Sequence, residues 1–345
     1  MSIKLKRKFI GILPFSLKKH IFKLKLYIQS PKLLFLKNHS FTSTSTPVLL
    51  LSMPRSGSSW IGSILGQSNN VRYLREPATT SYTLSKPNRI SVFDQLSCED
   101  WSIYKSYLDM AFSSKPNFTS GVIPFPKQWL SPENDKKLVI KEVNPLLIPY
   151  YQTIPAVLIY LIRHPFSIFK SYQALKWKPK DVLSRKVAPK TLEQILCQNP
   201  KILQQGLDYQ MGYLQGWVEG FVKSTLRNSN NHSQVKVVRY EDVCKDPQQE
   251  FRTLYSFAGI SFLNSDIDNI KASLAGKNSV SPGSFSLTRQ ASSLIKIIIK
   301  KEEQQQYINV MKGYQKAIND YLALNTDNKE EISASYINDK QLVDI

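Results

Sequence analysis

The chain holds 345 residues, 42% of them hydrophobic and 11% aromatic, with a formal net charge of +20. This is enough for one large α/β domain or two small ones with a real core. Three cysteines without a C-x-x-C pair exclude a disulfide framework and fit a reducing compartment, four histidines lack metal-ligand spacing, and no run approaches the roughly 18 apolar residues of a membrane span.

Residues 1–46 form a basic arm. Ten Lys or Arg fall within residues 1–37, and the first acidic residue of the chain is Glu76. In "LKKHIFKLKLYI" the apolar positions fit both helical and alternating spacing, so periodicity does not decide the element. A segment of this kind suits the surface of an acidic membrane or a solvated extension, and the expected location is cytoplasmic with peripheral membrane contact. "FTSTSTP" then links into the body.

The body, 47–324, reads as a single domain of alternating strands and helices. "PVLLLS" (47–52) is a buried strand, with a helix expected from Ser58, and "VRYL" (71–74) is a second strand. Residues 77–134 are rich in Pro, Ser and Asn and read as loops with short helices around 101–112. "KLVIKEV" (137–143) and the fully apolar "AVLIYLIR" (156–163) are further strands, the latter at the centre of a parallel sheet. Pro165 opens a helix, where its missing N–H is harmless. Leu207, Met211, Leu214, Val218, Phe221 and Val222 make a helical stripe. A strand at 235–240 and helices near 247–258 and 302–323 follow, and a polar tail, 325–345, is expected to fray. This alternation predicts a doubly wound, mostly parallel sheet.

Ligands of such sheets bind beyond the carboxyl ends of the strands, where "MPRSGSSW" (53–60) leaves the first one. Gly57 permits a tight turn, and small Ser56, Ser58 and Ser59 leave room for an anion facing backbone N–H groups and a helix N-terminus. Arg55 adds a forked cationic donor. The triphosphatase loop G-x-x-x-x-G-K-[ST] does not fit, because Ser52 stands where its first Gly belongs and Ser58 replaces its Lys. A second basic site follows in "LIRHPFSIFKSY": Arg163 leaves the apolar strand, and Ser171 lies on the next helix on one face with Ser167. Arg163 stands where a Mg-dependent site would carry a metal-binding Asp. Two neighbouring anion sites suit a ligand with two separated phosphates and no metal.

A strand followed by P-R-S-G-S-S-W, then a strand followed by R-x-P with Ser eight residues after the Arg, resembles the sulfotransferases over roughly 47–290. The resemblance implies a P-loop nucleotide-hydrolase-like fold in three α/β/α layers, with 3′-phosphoadenosine 5′-phosphosulfate as co-substrate and no metal. It implies that Arg55, Ser56, Gly57, Ser58 and Ser59 hold the 5′-phosphosulfate and that Arg163 and Ser171 hold the 3′-phosphate. Trp60, Tyr240 in "VVRYEDVCKDP" and Arg289 complete the implied nucleotide site, with Arg289 and Lys277 as weaker candidates for a segment closing over it. Arg rather than Lys in the first loop points to the carbohydrate and bacterial branch.

Sulfuryl transfer needs charge stabilisation at the leaving phosphate and a base for the acceptor hydroxyl. Arg55 is the first choice for the former and Lys141 the second. Glu76 lies 21 residues after Arg55, matching the Glu that serves as base in the carbohydrate branch, unless it pairs with Arg72 or Arg75. Glu142 is the alternative base, expected on the opposite strand face from Lys141. His164 is discounted because it sits beside the 3′-phosphate grip. The acceptor pocket is expected from residues 77–134 and 176–205, with Trp101, Trp129 and Trp177 able to stack on sugars. The acceptor is therefore read as a glycan, glycolipid or other hydroxyl compound. A kinase-like phosphotransferase is the rival on the same fold, and no motif supports nucleic-acid binding.

Overall fold

Val48, Leu49, Leu50 and Leu51 are apolar on both faces of the chain, and the computed structural model buries all four in β1 (Val48–Ser52) at the middle of a five-stranded sheet. The structure describes residues 45–85, 98–114, 135–174, 187–227, 234–275, 297–324 and 343–344, with isolated positions between them. Most of the basic arm and most of the tail lie outside the described residues.

After β1 come α1 (Ser58–Gln67), β2 (Val71–Arg75), α2 (Pro77–Ser85), α3 (Cys98–Phe112), β3 (Lys137–Glu142), the single turn α4 (Ile148–Tyr151) and β4 (Val157–Ile162). The chain continues through α5 (Pro165–Ala174), α6 (Pro189–Gln198), α7 (Leu207–Arg227), β5 (Val235–Arg239), α8 (Tyr240–Lys245), α9 (Pro247–Ala258) and α10 (Asn264–Leu274). It closes with β6 (Ile297–Ile298), α11 (Gln304–Leu324) and β7 (Val343–Asp344). The sheet order is β2-β3-β1-β4-β5, and every pair is parallel. The chain winds outward to β2, returns through β3, then crosses β1 to β4 and β5. The order therefore reverses between β1 and β4, which opens a crevice beyond their carboxyl ends.

Alternation along β1 feeds two cores, one on each face of the sheet. Leu49 and Leu51 pack with α2, α3, α5, α7 and α11, while Val48 and Leu50 pack with α1, α8, α9 and α10. This is the three-layer doubly wound fold expected. On the first face α7 and α11 touch backbone to backbone: a Cβ on Gly216 would collide with the Tyr314 carbonyl oxygen.

The departures from the sequence reading have tertiary causes. Residues 77–85 are helical although their apolar pattern is weak, because Ala78 and Tyr82 are buried and the helix start is capped from β3. α3 is longer than expected, with Tyr104 and Leu108 in the same core. Neither α6 nor α10 was expected, and Tyr240 opens α8 instead of ending β5. In the tail, Val343–Asp344 pairs with Ile297–Ile298.

Candidate active site at the carboxyl edge of the sheet

The loop after β1 turns through two left-handed residues, Arg55 at φ 75° and Gly57 at φ 93°. Gly57 is required twice over, because a Cβ there would also strike the Tyr240 ring. The Ser56 N–H donates to the Met53 carbonyl at 3.3 Å, and Ser52 Oγ donates to Ser58 Oγ at 2.7 Å. The Trp60 N–H donates to the Gly57 carbonyl at 2.9 Å. The amides of Ser58 and Ser59, at the first turn of α1, have no intrahelical acceptor by position and face outward from the helix end. Amides arranged in this way are able to hold an anion.

Arg163, just past β4, fixes this loop from the neighbouring strand. Its Nη1 donates to the Arg55 carbonyl at 3.0 Å, and its guanidinium carbon lies 4.6 Å from the centre of the Tyr240 ring. Its Nε is buried with no acceptor among the described residues, a donor left over in a site shaped for anions. Arg55 Nε donates to Ser171 Oγ at 2.8 Å, so the two basic sites read separately in the sequence form one cluster. Tyr240 fills the space behind it between Gly57 and Arg163. Trp60 is fully buried, edge-on to Tyr240 and Phe251, and its indole N–H donates to Ser273 Oγ at 3.1 Å. Among the described residues it anchors α1 behind the loop.

His164 is buried, and burial, with Arg163 and Arg239 adding to it, pushes its imidazole down to about 3. The ring is neutral and structural: Nδ1 accepts the Phe166 N–H at 3.2 Å. The His164 N–H donates to Glu241 at 3.0 Å. Glu241, a buried carboxylate bracing the β4–α5 turn, was missed, and its only sequence signal is its place directly after Tyr240.

The turn after β2 carries the third non-glycine group of interest. Glu76 has φ 51°. Its N–H donates to the Lys141 carbonyl at 2.6 Å, and its carboxylate forms an ion pair with Lys141 Nζ. Lys141 is 2% exposed and the Glu76 side chain 23%, so the pair reaches the surface through the carboxylate. Of the two arginines named as its alternative partners, Arg72 is used elsewhere. Arg72 is buried, donating to the carbonyls of Gln128 and Glu133 and lying 5.9 Å from the Trp129 ring centre.

Glu142 turns to the helix that follows Glu76. It accepts the Ala78 N–H at 2.8 Å on one oxygen and the Thr79 hydroxyl at 2.5 Å on the other. Asn144 Nδ2 donates to Thr79 Oγ1 at 2.6 Å and to the Tyr104 hydroxyl, closing a buried network. Burial raises the Glu142 carboxyl to about 7, against the opposing pull of these hydrogen bonds and of Lys141. Both Lys141 and Glu142 thus serve one turn, although they alternate along β3. The hint in the sequence was two adjacent charges, Lys141 and Glu142, closing a strand whose middle is apolar.

β1 and β2 stand two strand spacings apart, ~10 Å, with the end of β3 between them. One edge therefore gathers Arg55, Ser56, Gly57, Ser58, Ser59, Arg163, Ser171, Glu76 and Lys141. Arg289 and Lys277 lie outside the described residues, as does Trp177. Trp129 is buried and Trp101 packs on Tyr104 and Tyr150, so the described tryptophans act in packing. No three His, Cys, Asp or Glu side chains gather as a metal site among the described residues.

A family model described as a sulfotransferase domain matches residues 45–279. No curated protein matches the chain. Among solved structures, a sulfotransferase from Alicyclobacillus acidocaldarius is similar at 17% identity over 66% of this chain and 91% of its own, with a TM-score of 0.37. The sulfotransferase STF9 from Mycobacterium avium is similar at 14% identity over 90% of this chain and 82% of its own, with a TM-score of 0.42. Mouse sulfotransferase SULT7A1, solved in complex with PAP, is similar at 15% identity over 84% of this chain and 88% of its own, with a TM-score of 0.38.

Proposed function

We propose a function from one premise: the chain belongs to the sulfotransferase family. It transfers a sulfuryl group from 3′-phosphoadenosine 5′-phosphosulfate to the hydroxyl of a carbohydrate or glycolipid acceptor. The amides of Ser58 and Ser59 and the Arg55 guanidinium hold the 5′-phosphosulfate, and Arg163 with Ser171 takes the 3′-phosphate. The acceptor oxygen attacks sulfur in line, its proton passes to Glu76, and the bridging S–O bond breaks with its electrons going to the 5′-phosphate. Arg55 and Lys141 stabilise the charge that develops there. Lys141 also fixes the position of the Glu76 carboxylate through their ion pair.

One observation carries the reading. Among the described residues only three non-glycines have positive φ, and Arg55 and Glu76 are two of them. Such backbone costs of order 1–3 kcal/mol and persists where the surroundings enforce it, characteristically at functional sites. Here both strained residues lie in turns of one sheet edge, and each is fixed by a charged residue from the end of a neighbouring strand, Arg163 for Arg55 and Lys141 for Glu76.

No helix among the described residues is long and apolar enough to cross a membrane. The lysine-rich arm, 1–46, is read as a contact to an anionic membrane surface, which suits a lipid-linked acceptor. Calorimetry with adenosine 3′,5′-bisphosphate and with ATP plus Mg²⁺ tests the donor assignment. Binding of the bisphosphate is expected, and binding of ATP–Mg²⁺ alone would overturn it. A screen of glycan and glycolipid acceptors with ³⁵S-labelled donor tests the acceptor class.

A further inference from the structure

Glu76 stands at the N-cap of α2. Its carbonyl accepts the first intrahelical bond, from the Thr80 N–H at 2.9 Å, and Pro77 occupies the first helical position. A residue in that place ordinarily turns its own side chain onto the next free amides of the helix. Glu76 does not. Its carboxylate is engaged by Lys141, while the amide of Ala78 and the hydroxyl of Thr79 are taken by Glu142, 64 and 63 residues away in sequence.

We infer that Glu142 is a positioning residue that caps α2 in place of Glu76 and so leaves the Glu76 carboxylate directed at the acceptor side of the site. Three further contacts make the cap rigid. Asn144 and Tyr104 hold Thr79, so the hydroxyl that meets Glu142 has one orientation. The Lys141 carbonyl, one residue before Glu142, holds the Glu76 amide, which locks the left-handed backbone at the same point. Glu142 is completely buried and so touches neither donor nor acceptor. Removing it leaves the Ala78 N–H without its acceptor and the Thr79 hydroxyl with only the Tyr104 oxygen, at 3.1 Å, to turn to, and the carboxylate at the start of the same helix that could replace it is Glu76.

This inference rests on the reading of Glu76 as the proton acceptor, and the test separates the two. Wild type, E76Q, E142A and E142Q are compared for turnover of ³⁵S-labelled 3′-phosphoadenosine 5′-phosphosulfate with octyl β-glucoside, or with water where the glucoside gives none, and for bisphosphate affinity by calorimetry. E142A is expected to lose at least tenfold in kcat with bisphosphate Kd within twofold of wild type. E142Q should stay within threefold in kcat, because its amide oxygen accepts the Ala78 N–H and its amide nitrogen donates to Thr79. E142A with wild-type kcat beside an inactive E76Q overturns the positioning role and leaves the base intact. An active E76Q overturns the base itself. Equal loss of kcat and bisphosphate affinity in E142A, unrescued in E142Q, assigns Glu142 to general stability and also overturns the inference.

Discussion

The turns that follow β1 and β2 each contain a strained non-glycine residue, Arg55 and Glu76, yet they are held by different means. The first is largely built from its own neighbours: Gly57, the Ser56 amide on Met53, Ser52 on Ser58, and the free amides of the first turn of α1. Distant residues, Arg163 and Tyr240, only brace it. The second has little local support. Its amide, its carboxylate and the helix after it are all held by Lys141 and Glu142. A site that binds anions through backbone N–H groups can be written as a contiguous motif, because main chain does the binding. A single carboxylate held for proton transfer needs side chains brought in from another strand.

The largest effects should separate the two turns cleanly. E76Q keeps the volume of the side chain but cannot accept the acceptor's proton as a carboxylate does. Its kcat is expected to fall about 10²- to 10⁴-fold. Bisphosphate affinity measured by calorimetry should stay within a factor of two. Arg163→Ala removes a cation from the proposed phosphate grip and the donor that holds the Arg55 carbonyl, so bisphosphate affinity should weaken roughly 10- to 100-fold. The crossed result, affinity lost in E76Q and retained in Arg163→Ala, breaks the division between an anion turn and a proton turn.

The same contrast explains what was legible beforehand. The Arg55 loop, Arg163 and Ser171 could be read because each lies at a strand end or one helix turn beyond it, and the apolar runs of β1 and β4 mark those ends. Glu76 was singled out by the family resemblance and its distance from Arg55, but its ion pair with Lys141 was not read, since neighbours in sequence such as Arg72 and Arg75 suggest themselves while parallel pairing brings β3 alongside. α2 escaped notice because its sequence lacks an amphipathic stripe and its cap comes from Glu142. The fold itself was legible since alternating strand and helix periods suffice to predict a doubly wound sheet.

Gly57→Ala probes the local support of the first turn. The substitution adds a left-handed penalty and a collision with Tyr240, and it should lower the unfolding free energy by about 1–3 kcal/mol in urea titration. A change below a few tenths would mean that the loop relaxes freely and that its strain is not enforced.

The most gradual effects concern pH, at most about 1.4 kcal/mol per pH unit for each group, and they have opposite signs at the ends of β4 and β3. His164, beside Arg163, titrates near 3 in the folded chain against an ordinary 6.5. Between those values the unfolded chain binds more protons, so this group makes stability rise with pH up to about 6.5 and is neutral above it. Glu142, behind Glu76, titrates at about 7 against an ordinary 4.5. Between those values the folded chain binds more protons, so this group makes stability fall as pH rises from about 4.5 to about 7. Urea midpoints across pH 3 to 8 should therefore rise less steeply on the acid side in His164→Asn, which keeps an acceptor for the Phe166 amide but no ionisable ring. In E142Q the decline approaching neutrality should vanish, leaving a steeper net rise between about pH 4.5 and 6.5 because the histidine's contribution is no longer opposed. A parallel shift of both curves, without change of slope, would show that neither His164 nor Glu142 carries the pH dependence of stability.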